Sequence, residues 1–256
     1  MKKITKDYLF ISLSLFILII LSWYYLFLMK NEMNSMNMNN VINIFSMPMT
    51  GEWTLNDFVI MSLMWIVMMF AMMMPATFSF LLIYHKMRNS MATVKNPKAE
   101  LTILSFTYFL IWLTFSIIIC LFQFYLHNQD LVNMMGALNS NVLSGIMLII
   151  AGAFQFTSLK NSCLEKCRNP LTFIMGSKID TVYDVALIGF KNGTYCLLCC
   201  WALMLVLFVN GVMNLLWVVF ITFAILSEKV LPFGHITSRF FGLVLVVWGV
   251  YLMLMY

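Results

Sequence analysis

Seven apolar runs long enough to cross a bilayer occupy most of this 256-residue chain, at about 8–29, 58–84, 101–126, 141–159, 195–211, 213–229 and 239–256. Inside hydrocarbon no water reaches the peptide groups, so each run must satisfy its own backbone bonds as a helix. Composition excludes a soluble alternative: 62% of the residues are hydrophobic and 10% charged, far from soluble-domain averages. The longest polar stretches, 30–57 and 161–194, are too short to build a core of their own. The sequence therefore predicts an all-α, polytopic transmembrane helix bundle of about seven spans, forming a single integral membrane domain over 1–256. The join at Asn210-Gly211 with Met213-Asn214 is so short that the fifth and sixth runs could alternatively form a re-entrant pair.

Lysine and arginine set the expected orientation, because cytoplasmic loops near spans carry their excess. Lys2, Lys3 and Lys6 precede the first run, and Lys86, Arg88, Lys95 and Lys98 follow the second. Lys160, Lys166, Arg168, Lys178 and Lys191 follow the fourth, while Lys229 and Arg239 lie between the sixth and seventh. Only Lys30 falls on the other side. The expectation is a multi-pass cell-membrane protein with a cytoplasmic N-terminus, an external C-terminus and a first span retained as an anchor. Its principal partner is then the lipid bilayer. The net charge of +5 follows from this bias and calls for no nucleic acid. The segment 178–192 mixes apolar residues with Asp180, Asp184 and Lys191 and reads as an interfacial helix on the cytoplasmic surface.

Methionine is concentrated in one part of the chain: fifteen of the 24 lie between Met29 and Met91. At 100° per residue Met61, Met64, Met68 and Met72 fall within about 80° of one another, a stripe rising about 16 Å along the second run. Thioethers one turn apart can share a soft ion such as Cu(I), and they carry no charge that hydrocarbon would penalise. Methionine also fills gaps between helices, and on spacing alone packing is the favoured reading. Pro75 follows at once, removing the bond to the Ala71 carbonyl and bending the helix. Met33, Met36, Met38, Met47 and Met49 form an outer loop of the same character.

Five of the six cysteines gather on the expected cytoplasmic side: Cys163 and Cys167 after the fourth run, and Cys196, Cys199 and Cys200 opening the fifth. Cytoplasmic thiols stay reduced, which favours metal binding or redox chemistry over structural disulfides. Positions 196, 199 and 200 share one helical face in the first turn, where the helix dipole favours the thiolate. Cys120 stands alone as a packing residue. His85, His127 and His235 are too scattered for a haem or multi-histidine centre and read as surface or capping residues. Apart from Glu228 at the end of the sixth run, beside Lys229 as its expected ion-pair partner, no Asp or Glu lies within a run. That argues against a proton- or sodium-coupled carrier, and hydrolase, kinase and nucleotide-binding motifs are missing.

The strings Trp65-Ile-Val-Met68-Met-Phe-Ala71-Met72-Met73-Met-Pro75, Cys163-Leu-Glu-Lys-Cys167-Arg168-Asn-Pro170 and Gly193-Thr-Tyr195-Cys196-Leu-Leu-Cys199-Cys200-Trp201 resemble the uncharacterised "predicted metal-binding integral membrane protein" family of prokaryotes, over about 58–256. The resemblance implies that Met68, Met72, Met73, the five cysteines and Glu228 act together. With the stripe it gives an expected metal set of Met64, Met68, Met72, Met73, Cys163, Cys167, Cys196, Cys199 and Cys200. The expected cargo is Cu(I), with zinc in a closed thiolate site as the alternative. The expected function is transport or metallochaperone delivery, with a copper chaperone, a cuproenzyme or other membrane subunits as partners. A membrane thiol oxidoreductase and a non-catalytic subunit or assembly factor are the rival readings.

Overall fold

In a computed structural model of the chain, residues 2–35, 53, 55–89, 97–133, 135–177, 179–231 and 233–255 are described. Their order is α1 Lys2–Ser35, α2 Leu55–Asn89, α3 Pro97–Asn128, α4 Asn141–Phe154, α5 Ser158–Arg168, α6 Pro170–Met175, α7 Val182–Leu205, α8 Leu207–Asn210, α9 Leu215–Val230 and α10 Gly234–Leu254. The described residues are helical throughout apart from turns and one isolated bridge, Val132 to Leu138. Five helical stretches are long and apolar enough to cross a membrane: 12–30, 55–89, 97–128, 182–210 and 234–254. A sixth is added if α4 and α5, bent by 63° across a short break, count as one.

Several expected boundaries are corrected. The fourth run ends at Phe154, and the chain turns before Thr157 caps α5 by accepting from the Lys160 N–H. The stretch 178–192 is not a separate interfacial helix, because α7 starts at Val182. Thr181 and Asp184 form a reciprocal capping box there, satisfying N–H groups that a helix start leaves open. Cys196, Cys199 and Cys200 consequently lie more than three turns inside α7, and the dipole of a first turn does not act on them. The sixth run is α9, only 16 residues long, and its N-cap Asn214 follows a tight turn at Gly211 with φ of 93°. α1 continues through Met33, whereas Met36, Met38, Met47 and Met49 lie outside the described residues. Helix α2 runs unbroken through Pro75.

Glycines fix how the helices meet. A Cβ on Gly152 would lie 2.7 Å from the Gly242 carbonyl, and one on Gly249 would lie 2.7 Å from the Gly145 carbonyl. α4 and α10 thus cross antiparallel at two contacts seven residues apart, a backbone approach that only small residues allow. Between apolar helices this close packing matters, since lipid supplies no hydrophobic drive to hold them together. Gly249→Leu should therefore lower stability by about 1–3 kcal/mol, read as a lower melting midpoint in detergent. Val247→Leu, on an exposed face of the same helix, should leave it unchanged; equal midpoints would refute the close-packing account.

The same device joins α7 to α3. Gly189 and Gly193 face Leu104, Tyr108 and Ile111 so closely that a Cβ on Gly193 would reach the Tyr108 carbonyl at 3.1 Å. Position 196 continues that face one turn on, which sets a cysteine against α3. On the other flank of α3, Trp65 of α2 donates to Gln123 at 2.6 Å and Arg88 pairs with Glu100 at 2.7 Å, so α2 and α3 run antiparallel.

Candidate metal centre

Four thiols meet in the interior where α3, α5, α7 and α9 converge. Cys196 lies 3.1 Å from the Tyr108 hydroxyl and accepts from Lys229 Nζ at 2.8 Å. Cys199 donates to the Cys196 carbonyl at 3.1 Å, and its sulfur is 3.3 Å from that of Cys200. Cys167 of α5, half-buried, lies close enough to Cys196 and Cys199 to interact with them electrostatically. Helix α5 is tied down beside them by Lys166, which donates to the Tyr195 hydroxyl at 3.0 Å and lies over its ring. Cys163, one turn back, is buried but is not among these contacts. Cys120 is buried far from the group, accepting from Ser62 at 3.4 Å, in keeping with packing.

Among the described residues no three His, Cys, Asp or Glu side chains are already arranged to hold a metal ion. The reason is visible in the spacing. Thiolates around one ion with metal–sulfur bonds near 2.3 Å stand about 3.8 Å apart, whereas Cys199 and Cys200 have closed to 3.3 Å and Lys229 takes up a lone pair of Cys196. The donor set nevertheless suits a soft monovalent cation, and the Cys199–Cys200 pair needs to spread by only about 0.5 Å to share one. Two thiolates and one Cu(I) carry a net charge of −1, and the Lys229 ammonium would balance it where the dielectric is low.

The acidic partner expected of Lys229 lies elsewhere. Glu228 is paired with Lys160 of α5 at 2.6 Å, both side chains buried, because successive residues of a helix point about 100° apart. Lys160, which the charge pattern places in a loop, is thus an interior residue. His85 is also interior and not on the surface. His235 meets Asn161 at 3.2 Å, and His127 packs on Trp53.

All four expected methionine ligands, Met64, Met68, Met72 and Met73, are buried. Met64 and Met68 line a small cavity with Met29 of α1 and Met213 of the turn before α9. Met72 and Met73 continue down α2, and one turn beyond Met73 the buried Thr77 lies near Tyr108, whose hydroxyl contacts Cys196. From Met68 to Thr77 the helix rises about 14 Å, and from Val218, which also lines the cavity, to Lys229 about 16 Å. Two helices therefore independently set the cavity and the thiols about 15 Å apart along the bundle. Tyr108, Lys229, Lys160, Met29 and Met213 escape sequence reasoning, since their neighbours come from distant elements. The Gly189-x-x-x-Gly193 spacing was the one local signal that α7 must press against another helix.

Fold and interior together define an all-helical protein of long apolar helices around a sulfur-rich core. The chain matches the PpoB2 copper chaperone family over residues 62–252 and belongs to it. The match takes in the thiols, α2 from Ser62 onward and Met213, and it leaves out α1 with Met29. It supports copper and lends nothing to zinc. No curated protein and no solved structure matches the chain.

Proposed function

We propose that this protein is an integral membrane chaperone for Cu(I), a single domain over 1–256 in the cell membrane. In this reading Cys167, Cys196, Cys199 and Cys200 are the high-affinity site, with Cys163 in reserve beside it. Met64, Met68, Met72 and Met73 hand copper down α2 towards them. The observation that carries the proposal is the meeting of Cys196 with Tyr108 and Lys229 beside Cys199 and Cys200, with the buried Thr77, one turn below Met73, near the same tyrosine. Thiolates hold Cu(I) more tightly than thioethers, so transfer along this path is downhill.

The basic residues of the interior and of the nearby helix ends, Arg88, Lys160, Lys166, Arg168 and Lys229, lie on the thiol side of the bundle. That supports a cytoplasmic thiol end, a cytoplasmic N-terminus and seven crossings, with α9 as a short sixth and α10 ending outside. The membrane potential, inside negative, then favours inward movement by about 2.3 kcal/mol per charge per 100 mV. A copper-donating chaperone or a cuproenzyme would be the partner.

The test uses protein purified anaerobically and reconstituted in vesicles. Met64, Met68 and Met72 replaced together by Leu, a volume-conserving change, should slow loading of the thiols by Cu(I) added on the methionine side about tenfold or more. Unchanged loading kinetics would overturn the relay.

A further inference from the structure

The small cavity at the far end of α2 belongs to neither the packing nor the thiol site, and its lining is unusual. Met29, Met64, Met68 and Met213 bring four thioethers from three separate parts of the chain to one opening, with Lys30 at its edge. A stripe on one helix is a common outcome of greasy composition. Helical spacing puts Met64 and Met68 on one face, but the convergence of Met29 and Met213 on the same hollow is not a consequence of helical spacing, because they come from other parts of the chain.

Size and charge narrow the occupant. The cavity holds about 20 Å³, room for about one water molecule, so an ion must shed nearly all of its hydration shell to enter. Magnesium and calcium keep their waters or demand six or more oxygens. Four neutral thioethers offer no charge to offset a divalent ion, and the ammonium of Lys30 opposes one further. A soft monovalent ion of low coordination number remains, and Cu(I) meets each condition.

We infer that Met29, Met64, Met68 and Met213 form a thioether entry site for a bare monovalent soft cation, completed by α1 and by the Gly211–Asn214 turn. The site rests on the copper reading above for its cargo and on its own cavity for its ligands. Because thioethers do not protonate, it loads at acid and neutral pH alike. Because it is neutral, it holds the ion weakly enough to release it to Met72, Met73 and the thiols.

The experiment is a titration of Ag(I), a redox-inert probe, into the full chain carrying methyl-labelled methionine and all six cysteines replaced by Ser, so that no thiol competes for the ion. Single Leu variants assign the resonances of the four residues. Those four should move together and saturate near one equivalent, while the exposed Met175 and Met255 stay fixed. Met29→Leu and Met213→Leu should each weaken Ag(I) binding about tenfold, and Lys30→Gln should tighten it in a salt-dependent way. If the four resonances stay fixed, or the exposed methionines move as readily, the entry site is wrong, and Cu(I) binding by the unaltered thiols still stands or falls separately. If the four respond but the unaltered protein holds no Cu(I) at its thiols, the site survives and the chaperone reading does not.

Discussion

Replacing Cys196, Cys199 and Cys200 together by serine should lower Cu(I) affinity about a thousandfold or more, measured by competition with a colorimetric Cu(I) chelator under anaerobic conditions. Serine is nearly the same shape, and its hydroxyl can still accept from Lys229 and donate to the carbonyl that Cys199 reaches. What it removes is the soft, ionisable sulfur, so the fold should persist while the affinity goes. Melting midpoint and elution volume should match those of the unaltered protein, which separates loss of ligands from loss of structure. Cys120→Ser, far from the cluster, should cost no affinity. Tight copper binding by the triple variant would remove these three thiols from the mechanism. A bound metal that proves to be zinc would turn the cluster into a structural site.

The second large effect concerns stability. Lys160 and Glu228 pair at 2.6 Å in full burial, and the second oxygen of Glu228 has no other hydrogen-bond partner among the described residues. Lys160→Met therefore leaves a carboxylate stranded in the interior, and the cost should be about 3–5 kcal/mol. Adding Glu228→Leu removes the stranded charge, and the double variant should recover most of the loss. Melting in detergent or a denaturant series on the purified protein reads both. Equal loss in single and double variants would mean that the residues pack and do not pair. The pair also has a positional consequence: it joins α5, which carries Cys167, to α9, which carries Lys229. Recovery of stability without recovery of copper affinity would identify it as the clamp that holds the two halves of the thiol cluster in register.

Burial of the methionines was readable in α2 itself. Met61, Met64, Met68 and Met72 share a face because the helical period puts them there, and the structure buries that whole face. Cys196, Cys199 and Cys200 were likewise placed together by their spacing. Their depth was misread, because Asp184 and Lys191 make 178–192 look like a surface segment. The capping box at Thr181 and the packing of Gly189 and Gly193 on α3 extend the helix through it. The fourth run was one stretch by hydropathy and two helices in fact, since a break of a few residues leaves no mark on average polarity.

The sequence alone determined that the chain is helical and apolar, and which residues share a helix face. These follow from backbone chemistry and from a period of 3.6 residues, and both are local. Only tertiary structure decided which faces meet. It gave Glu228 to Lys160 and Lys229 to Cys196, drew Cys167 to the other thiols, and closed Met29 and Met213 around the upper end of α2. Pairing across 29 to 184 residues depends on how helices pack, and the glycines that set that packing carry no label for the partner they will touch.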